Sequence, residues 1–483
     1  MRLGTIARVG AGLLAAACLM ALASPQTRTE AQESPPDDRP NIILISTDDQ
    51  TTYDMQWMPI TRELIGGHGV DFPDGLSPHS LCCPARAEMV TGQYGQNNGV
   101  HHNTGANGGY HALIDRDNTI GRWLQDAGYH TGMAGKYMNG YNETYGAPEG
   151  WDHWNPYVRG TDFMNTRYYN DGDLVERHGY VDDITNEYVR SYIDEFAKTE
   201  QPFFVWISNY APHRAKKRTG ETEYSVPAPR FRGSLSDVTL PALDKPSFNE
   251  DDVSDQPSNT HVAKVSPAEM QKRFTSRIEA LQAADENVGK LVDQLDRLGE
   301  LDNTYIFFVS DNGYLLGEHR LSHKNYIYRE SMAVPFEVRV PTATTGTTSQ
   351  MPVTLADLAP TISELAGATP ERLVDGVSFA PLLRGQPMTW RDTQLIQTGK
   401  ASPSLEGWRI RGARTDRYTY GVDVTDNFEQ LYDRLRDPFE IDNVAKDPRY
   451  RPVLLDMRNR MEALRDCAGA SCAQNFGPSV DPN

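Results

Sequence analysis

The sequence predicts an α/β fold: a large mixed, mostly parallel sheet flanked by helices, with a smaller C-terminal antiparallel-sheet subdomain. Three observations carry this. Short apolar runs recur at 41–45, 203–208 and 305–310, and each is followed closely by polar residues. A long helical periodicity fills the stretch between the second and third runs. From about residue 385 the pattern breaks into short alternating, aromatic-rich segments. Buried parallel strands read as continuous apolar runs, whereas strands with one wet face alternate.

The 483 residues suit one large domain plus a smaller one. With 38% hydrophobic and 23% charged residues, the composition is that of a globular protein. Residues 1–23 read as a secretory signal: Arg2 and Arg8, an apolar stretch from Val9 to Leu22, and Ala21-Leu22-Ala23 as a cleavage site. The alternative, a membrane anchor, needs about 20 apolar residues, and no other run is long enough to span. Secretion is therefore expected. Residues 24–38, rich in Ser, Pro, Gln, Glu and Asp, read as a disordered leader. The net charge of −19 argues against nucleic-acid binding. Any anion site must gather its positive charge locally.

The first run, Asn41-Ile42-Ile43-Leu44-Ile45, leads into Thr47-Asp48-Asp49. The second, Phe203 to Ser208, leads to Pro212-His213, and the third, Tyr305 to Ser310, to Asp311-Asn312. In open α/β sheets the carboxyl edge of the strands is where ligands bind. Residues 214–262 lack periodicity, so they form either a wall of that site or a disordered loop. Ser266 is a suitable N-cap, Pro267 suits the first turn, and Glu269 is placed to complete a capping box. Phe274, Ile278, Leu281, Val288, Leu291, Leu295 and Leu298 form the apolar stripe, and Gly299 ends the helix. Near the C-terminus, Arg409 to Tyr420 and Leu431-Tyr432-Asp433 predict an antiparallel sheet, and 452–464 a packed helix.

Five cysteines are present. Cys18 leaves with the signal, and Cys467 and Cys472 suit a disulfide in an exported chain. Cys82 and Cys83 are adjacent, which allows a strained vicinal disulfide, two buried thiols or a chemical role.

The segment Leu81-Cys82-Cys83-Pro84-Ala85-Arg86, continuing to Thr91-Gly92, resembles the sulfatase signature Cys-x-Pro-x-Arg, with Ala85 where serine is commoner. Companion segments fall in the family's order: Asp48-Asp49, Gly135-Lys136-Tyr137, Pro212-His213, Ser310-Asp311-Asn312-Gly313, and Lys324 after Gly317-Glu318-His319-Arg320. The resemblance spans roughly residues 39–450 and implies a catalytic domain over 39–384 and a C-terminal α+β subdomain over 385–483. It implies that a maturation enzyme oxidises Cys82 to Cα-formylglycine. It also implies Asp48, Asp49, Cys82, Asp311 and Asn312 as metal ligands, and Cys82, Arg86, Lys136, His213 and Lys324 as catalytic residues. Hard oxygen donors suit Ca2+, with Mg2+ also possible. The implied reaction is attack on sulfur by a hydroxyl of residue 82, with lysines and cation offsetting charge on the sulfate oxygens and His213 or Lys324 supporting the departing alcohol.

One position departs from the family pattern. Many sulfatases read Gly-Lys-x-His after the nucleophile, and here the last position is Met138. The base for sulfate elimination is then unassigned, with His101 and His102 as candidates or as surface histidines. The wording around Cys82, Tyr94 to Asn98, Gly135 to Asn139, and Pro148 to Trp154 resembles N-acetylglucosamine-6-sulfatases. That implies a 6-O-sulfated amino sugar or related sulfated glycan as substrate. The alternatives are a broad aryl sulfatase, acting on aryl sulfates, and a phosphonate monoester or phosphodiester hydrolase sharing the same site. A non-catalytic glycan-binding relative would have lost the nucleophile or metal ligands, and neither is lost.

Overall fold

The computed structural model describes residues 38–158, 160–217, 220–399 and 407–482. The signal at 1–23 and residues 24–37 of the leader lie outside them.

Eight strands form the main sheet: β1 (Asn41–Thr47), β2 (Gly69–Asp71), β3 (His130–Gly135), β4 (His153–Pro156), β5 (Phe203–Ser208), β6 (Thr304–Ser310), β7 (Phe336–Arg339) and β8 (Thr347–Thr348). Their order is β8-β2-β7-β6-β1-β5-β3-β4. Strands β6, β1, β5, β3 and β4 run parallel, whereas β7 is antiparallel to both β6 and β2. The expected mixed, mostly parallel sheet is thus present. All seven residues of β1 are buried. Ile42 and Leu44 enter one core with Trp206 and Phe307, and Ile43 and Ile45 enter the other with Val205 and Phe308. Burial on both faces is why β1, β5 and β6 carry no alternation, each large apolar side chain contributing about 1.5–3 kcal/mol.

Helices α1 (Cys82–Thr91), α2 (Ile120–Asp126) and α5 (Leu358–Ala366) contribute to the first core. Helices α3 (Val181–Phe196) and α4 (Pro267–Leu298) contribute to the second. On α4 the Ser266 hydroxyl accepts from the Glu269 N–H at 3.3 Å. The reciprocal half of the capping box does not form, because the Glu269 carboxylate accepts from the Tyr224 hydroxyl at 2.8 Å instead. The apolar stripe closes at Leu295, and Leu298 is exposed beside the left-handed Gly299. A four-stranded antiparallel sheet follows, β9 (Gln394–Thr398), β10 (Ile410–Arg414), β11 (Tyr418–Asp423) and β12 (Phe428–Asp433). Helix α6 (Arg451–Leu464) packs Val453, Met457 and Met461 against its Tyr418, Tyr420 and Leu431. Cys467 and Cys472 form a disulfide. Cys82 and Cys83 are separate buried thiols, so no vicinal disulfide exists.

The register places Thr47 beside Ser310, Ser46 beside Ser208, and Ser208 beside Gly135. Four parallel strands therefore end at one level, and the residues that follow them share one edge. Gly135 has a φ of 104°, and a Cβ there would lie 1.9 Å from the Ser208 carbonyl oxygen, so only glycine fits.

Away from that edge, Glu337 on β7 faces Asp71 on β2. Burial, then the Asp71 charge, pushes the Glu337 carboxyl up to about 7, although it accepts the Gly66 N–H at 3.1 Å. The folded chain thus holds a proton that an unfolded glutamate releases at about 4.3. That contribution is fully present at lower pH and is lost as pH rises through about 7. Glu337→Gln is expected to raise stability by about 1–3 kcal/mol at pH 8 and far less at pH 4.5. Denaturant midpoints at the two pH values check this, and an equal gain at both would contradict it.

Candidate active site

At the shared strand edge the chain buries several charges together. Asp48 and Asp49 follow β1, Lys136 follows β3, His213 lies five residues beyond β5, and Asp311 and Asn312 follow β6. Cys82 opens α1, whose ten residues are all buried and whose N-terminal amides favour an anion. Gly92 ends α1 in the left-handed conformation, its N–H bonding the Glu88 carbonyl.

The structure brings Asp48, Asp49, Cys82, Arg86, Lys136, His213, Asp311, Asn312 and Lys324 together. Lys136 Nζ pairs with Asp48 Oδ2, and Lys324 Nζ with Asp49 Oδ1. Lys324 Nζ also lies 2.7 Å from Cys82 Sγ, which is 3.6 Å from Asp48 Oδ1. Arg86 sits one turn after Cys82 but turns to the sheet, donating to Asp311 Oδ2 at 2.8 Å, the Lys136 carbonyl at 2.7 Å and Ser208 Oγ at 2.6 Å. Asp311 Oδ1 accepts the Asp49 N–H at 3.1 Å. Asn312 Nδ2 donates to Asp49 Oδ1 at 2.8 Å. His213 Nε2 lies 3.9 Å from Asp49 Oδ2, and its Nδ1 is 2.7 Å from the Arg214 carbonyl. That carbonyl can only accept, so Nδ1 carries the proton and Nε2 of the neutral ring keeps its lone pair.

Burial opposes ionisation of Asp48, but the charges of Lys136, Lys324 and Arg86 outweigh it and hold the carboxyl well below its usual range. Asp49 is likewise held down, chiefly by Lys324 against burial. Asp311 is pushed up to about 6 by burial and by Asp48, with Arg86 pulling the other way. Burial lowers His213 to about 4 despite Asp48 and Asp49. Burial also lifts the Cys82 thiol to about 11.

Asp48, Asp49, Cys82 and His213 offer ligand atoms that lie within 4.8 Å of one another, a possible metal-binding group. Asn312 Oδ1 is buried with no hydrogen-bond partner, a further oxygen suited to a cation. The carboxylates and this amide oxygen are hard donors that fit calcium or magnesium. Asp49 takes a φ of 73°, a left-handed conformation worth roughly 1–2 kcal/mol of strain for a non-glycine residue. Arg277 of α4 holds it there by donating to the Asp49 carbonyl, while it lies 3.5 Å from Asp54 and stacks over Tyr314.

A cleft of about 1020 Å³ opens on this cluster. Asp49, Lys136, Met138, His213 and Lys324 line it. Arg214 and Lys216 also line it, so the first part of the unpatterned 214–262 segment is a wall of the site. His101 and His102 do not line it: the first packs its ring at a tilt against Trp408, centroids 4.2 Å apart, and the second meets the Gly407 carbonyl at 2.8 Å. Four residues near the site escaped the sequence reading: Asn103, Asp182, Arg277 and His323. Asn103 accepts the Cys83 N–H at 2.9 Å and lines the cleft. His323, beside Lys324, bonds the Tyr314 hydroxyl at 2.8 Å and lines it too. Adjacency to a singled-out residue was the only signal for either. Arg277 lay within the α4 stripe and gave none.

The sulfatase family model matches residues 40–368, and that of the N-sulphoglucosamine sulphohydrolase C-terminal region matches 317–467. An N-acetylglucosamine-6-sulfatase from Capra hircus is 30% identical over 90% of this chain and 85% of its own. A solved structure in complex with its substrate D-glucosamine-2-N,6-O-disulfate superposes with a TM-score of 0.74, at 24% identity, over 88% of this chain and 97% of that one. The phosphonate monoester hydrolase of Agrobacterium radiobacter superposes with a TM-score of 0.68, at 19% identity, over 88% and 95%. The first match extends over most of the chain and ends just after α5, and the second covers the antiparallel sheet and α6. With the site geometry, these matches identify the chain as a member of the sulfatase family and a sulfuric ester hydrolase.

Proposed function

We propose that this chain is exported and hydrolyses a sulfate monoester of a sulfated glycan, with 6-O-sulfated N-acetylglucosamine as its substrate class. The observation that carries the reaction is the meeting of Cys82 with Lys324, Lys136 and the Asp48-Asp49 pair at the strand ends. The names of the similar N-acetylglucosamine-6-sulfatases support the sugar.

A buried thiol raised to about 11 is a poor thiolate at neutral pH, which speaks against unmodified Cys82 as nucleophile. Converted by a maturation enzyme to Cα-formylglycine and hydrated, the residue supplies a hydroxyl nucleophile. Asp48, Asp49, Asp311 and Asn312 would hold the cation, calcium or magnesium, which supplies Lewis-acid polarisation of a sulfate oxygen when bound. Lys136 and Lys324 each offset one aspartate, so a divalent cation held there would leave the site positive towards an anion, with both ammoniums lining the cleft to donate to it. Lys324 stays an ammonium, because the Asp49 charge outweighs its burial, and it can give a proton to the leaving alcohol. Neutral His213 presents the Nε2 lone pair to the cleft and orients that alcohol. Arg86, fully buried, fixes Asp311 and the Lys136 peptide under residue 82.

On matured protein, kcat/KM for N-acetylglucosamine 6-sulfate is expected to exceed that for an aryl sulfate or a phosphonate monoester by about tenfold or more. Higher turnover of the phosphonate would move the chain to the alternative reaction. Chelation should abolish turnover and also lower the melting temperature. Calcium at about 100 times its Kd should restore both, adding about 2.7 kcal/mol of stability. A melting temperature and turnover indifferent to chelator and calcium would contradict the assignment of Asp48, Asp49, Asp311 and Asn312.

A further inference from the structure

Asp182 stands in the first turn of α3, fully buried. Its two carboxylate oxygens each take one backbone N–H: Oδ1 from Tyr210 at 2.6 Å and Oδ2 from Ala211 at 3.1 Å. Both donors belong to the segment 209–213, which carries His213 away from the end of β5. A chain leaving a sheet has N–H groups without ladder partners, and Pro212 has none. In this segment the Asn209 N–H goes to the Ser46 carbonyl at 2.8 Å and the His213 N–H to the Tyr210 carbonyl at 2.9 Å. Asp182 takes the remaining two.

The same segment meets the charged cluster on its other side, where the Ala211 carbonyl accepts the Asp48 N–H at 3.1 Å. One carboxylate therefore fixes the peptides on which both His213 and Asp48 depend. Asn186, one turn further along α3, adds a bond from Nδ2 to Asn209 Oδ1 at 3.0 Å. Burial pushes the Asp182 carboxyl up to about 7, while the two N–H bonds and the α3 N-terminus favour its charged form, whose bonds to amides are about twice as strong as neutral ones. Apolar packing would not require a carboxylate here, whereas holding two adjacent N–H groups at fixed positions does.

We infer that Asp182 is a positioning residue for sulfate-ester cleavage: through the Tyr210 and Ala211 peptides it sets the reach of His213 into the cleft. The inference rests on the functional reading above. Asp182→Asn keeps the shape but turns an amide NH2 towards one of the two N–H donors. At a temperature well below melting, with a sulfate ester that the wild type turns over, kcat is expected to fall about tenfold while KM changes less than about threefold. In a His213→Ala background the same change should lower kcat by less than about twofold, because the two act as one unit. The inference is overturned if Asp182→Asn lowers the melting temperature but leaves kcat within about twofold of wild type, or if the two losses multiply. Should Asp182→Asn not fold, Asn186→Ala carries the test: a kcat loss absent from the His213→Ala background supports the role, and an unchanged kcat or multiplying losses overturn it. Failure of the sulfatase reading would show in the wild type, and failure of the positioning role only in the variants.

Discussion

Three buried carboxylates, Asp48, Asp49 and Asp311, crowd the ends of β1 and β6, and everything around them serves to keep that charge in place. Each buried ion carries a desolvation penalty of several kcal/mol unless it is paired and hydrogen-bonded. Here the pairing is complete: Lys136 on Asp48, Lys324 on Asp49 and Arg86 on Asp311. The parallel register makes it possible, because Thr47, Ser208, Gly135 and Ser310 end together and deliver their successors to one edge. The three pairs leave the cluster neutral within a chain of net charge −19, so a divalent cation held there would make it positive where an anion must bind.

The residues around this cluster divide by what they touch. Lys136, Lys324, His213 and Asp49 line the cleft. Arg86, Arg277 and Asp182 hold backbone: the Lys136 peptide, the left-handed Asp49 and the Tyr210-Ala211 peptides. Orientation of the reacting groups thus depends on side chains drawn from α1, α4 and α3, whose apolar stripes anchor them in the two cores. Met138 lines the cleft where other sulfatases place a histidine, and His101 and His102 pack towards Trp408 and Gly407. A proton acceptor for the proposed elimination step is therefore sought in neutral His213, or in Lys324 once it has given its proton to the leaving alcohol.

The main sheet was legible because strands buried on both faces must be apolar throughout, and the polar residues following β1, β5 and β6 stood out against those runs. The nucleophile segment and its companions were legible by resemblance, since each motif lies close to the strand or helix end that positions it. The outer supports were not. Arg277 reads as one more charge on a long helix, and Asp182 as an ordinary helix N-terminal acid; only the chain path brings them to the Asp49 and Ala211 peptides. The capping box failed for a similar reason, as Tyr224, 45 residues away in sequence, captured the Glu269 carboxylate.

The central claim is that Cys82 acts as a converted residue within a cation-ready cluster. Peptide mass spectrometry across residues 82–86 of active, exported protein tests it most directly. The account predicts the aldehyde mass, or its hydrate, at position 82 with Cys83 unchanged. An unmodified Cys82 in fully active protein would contradict it.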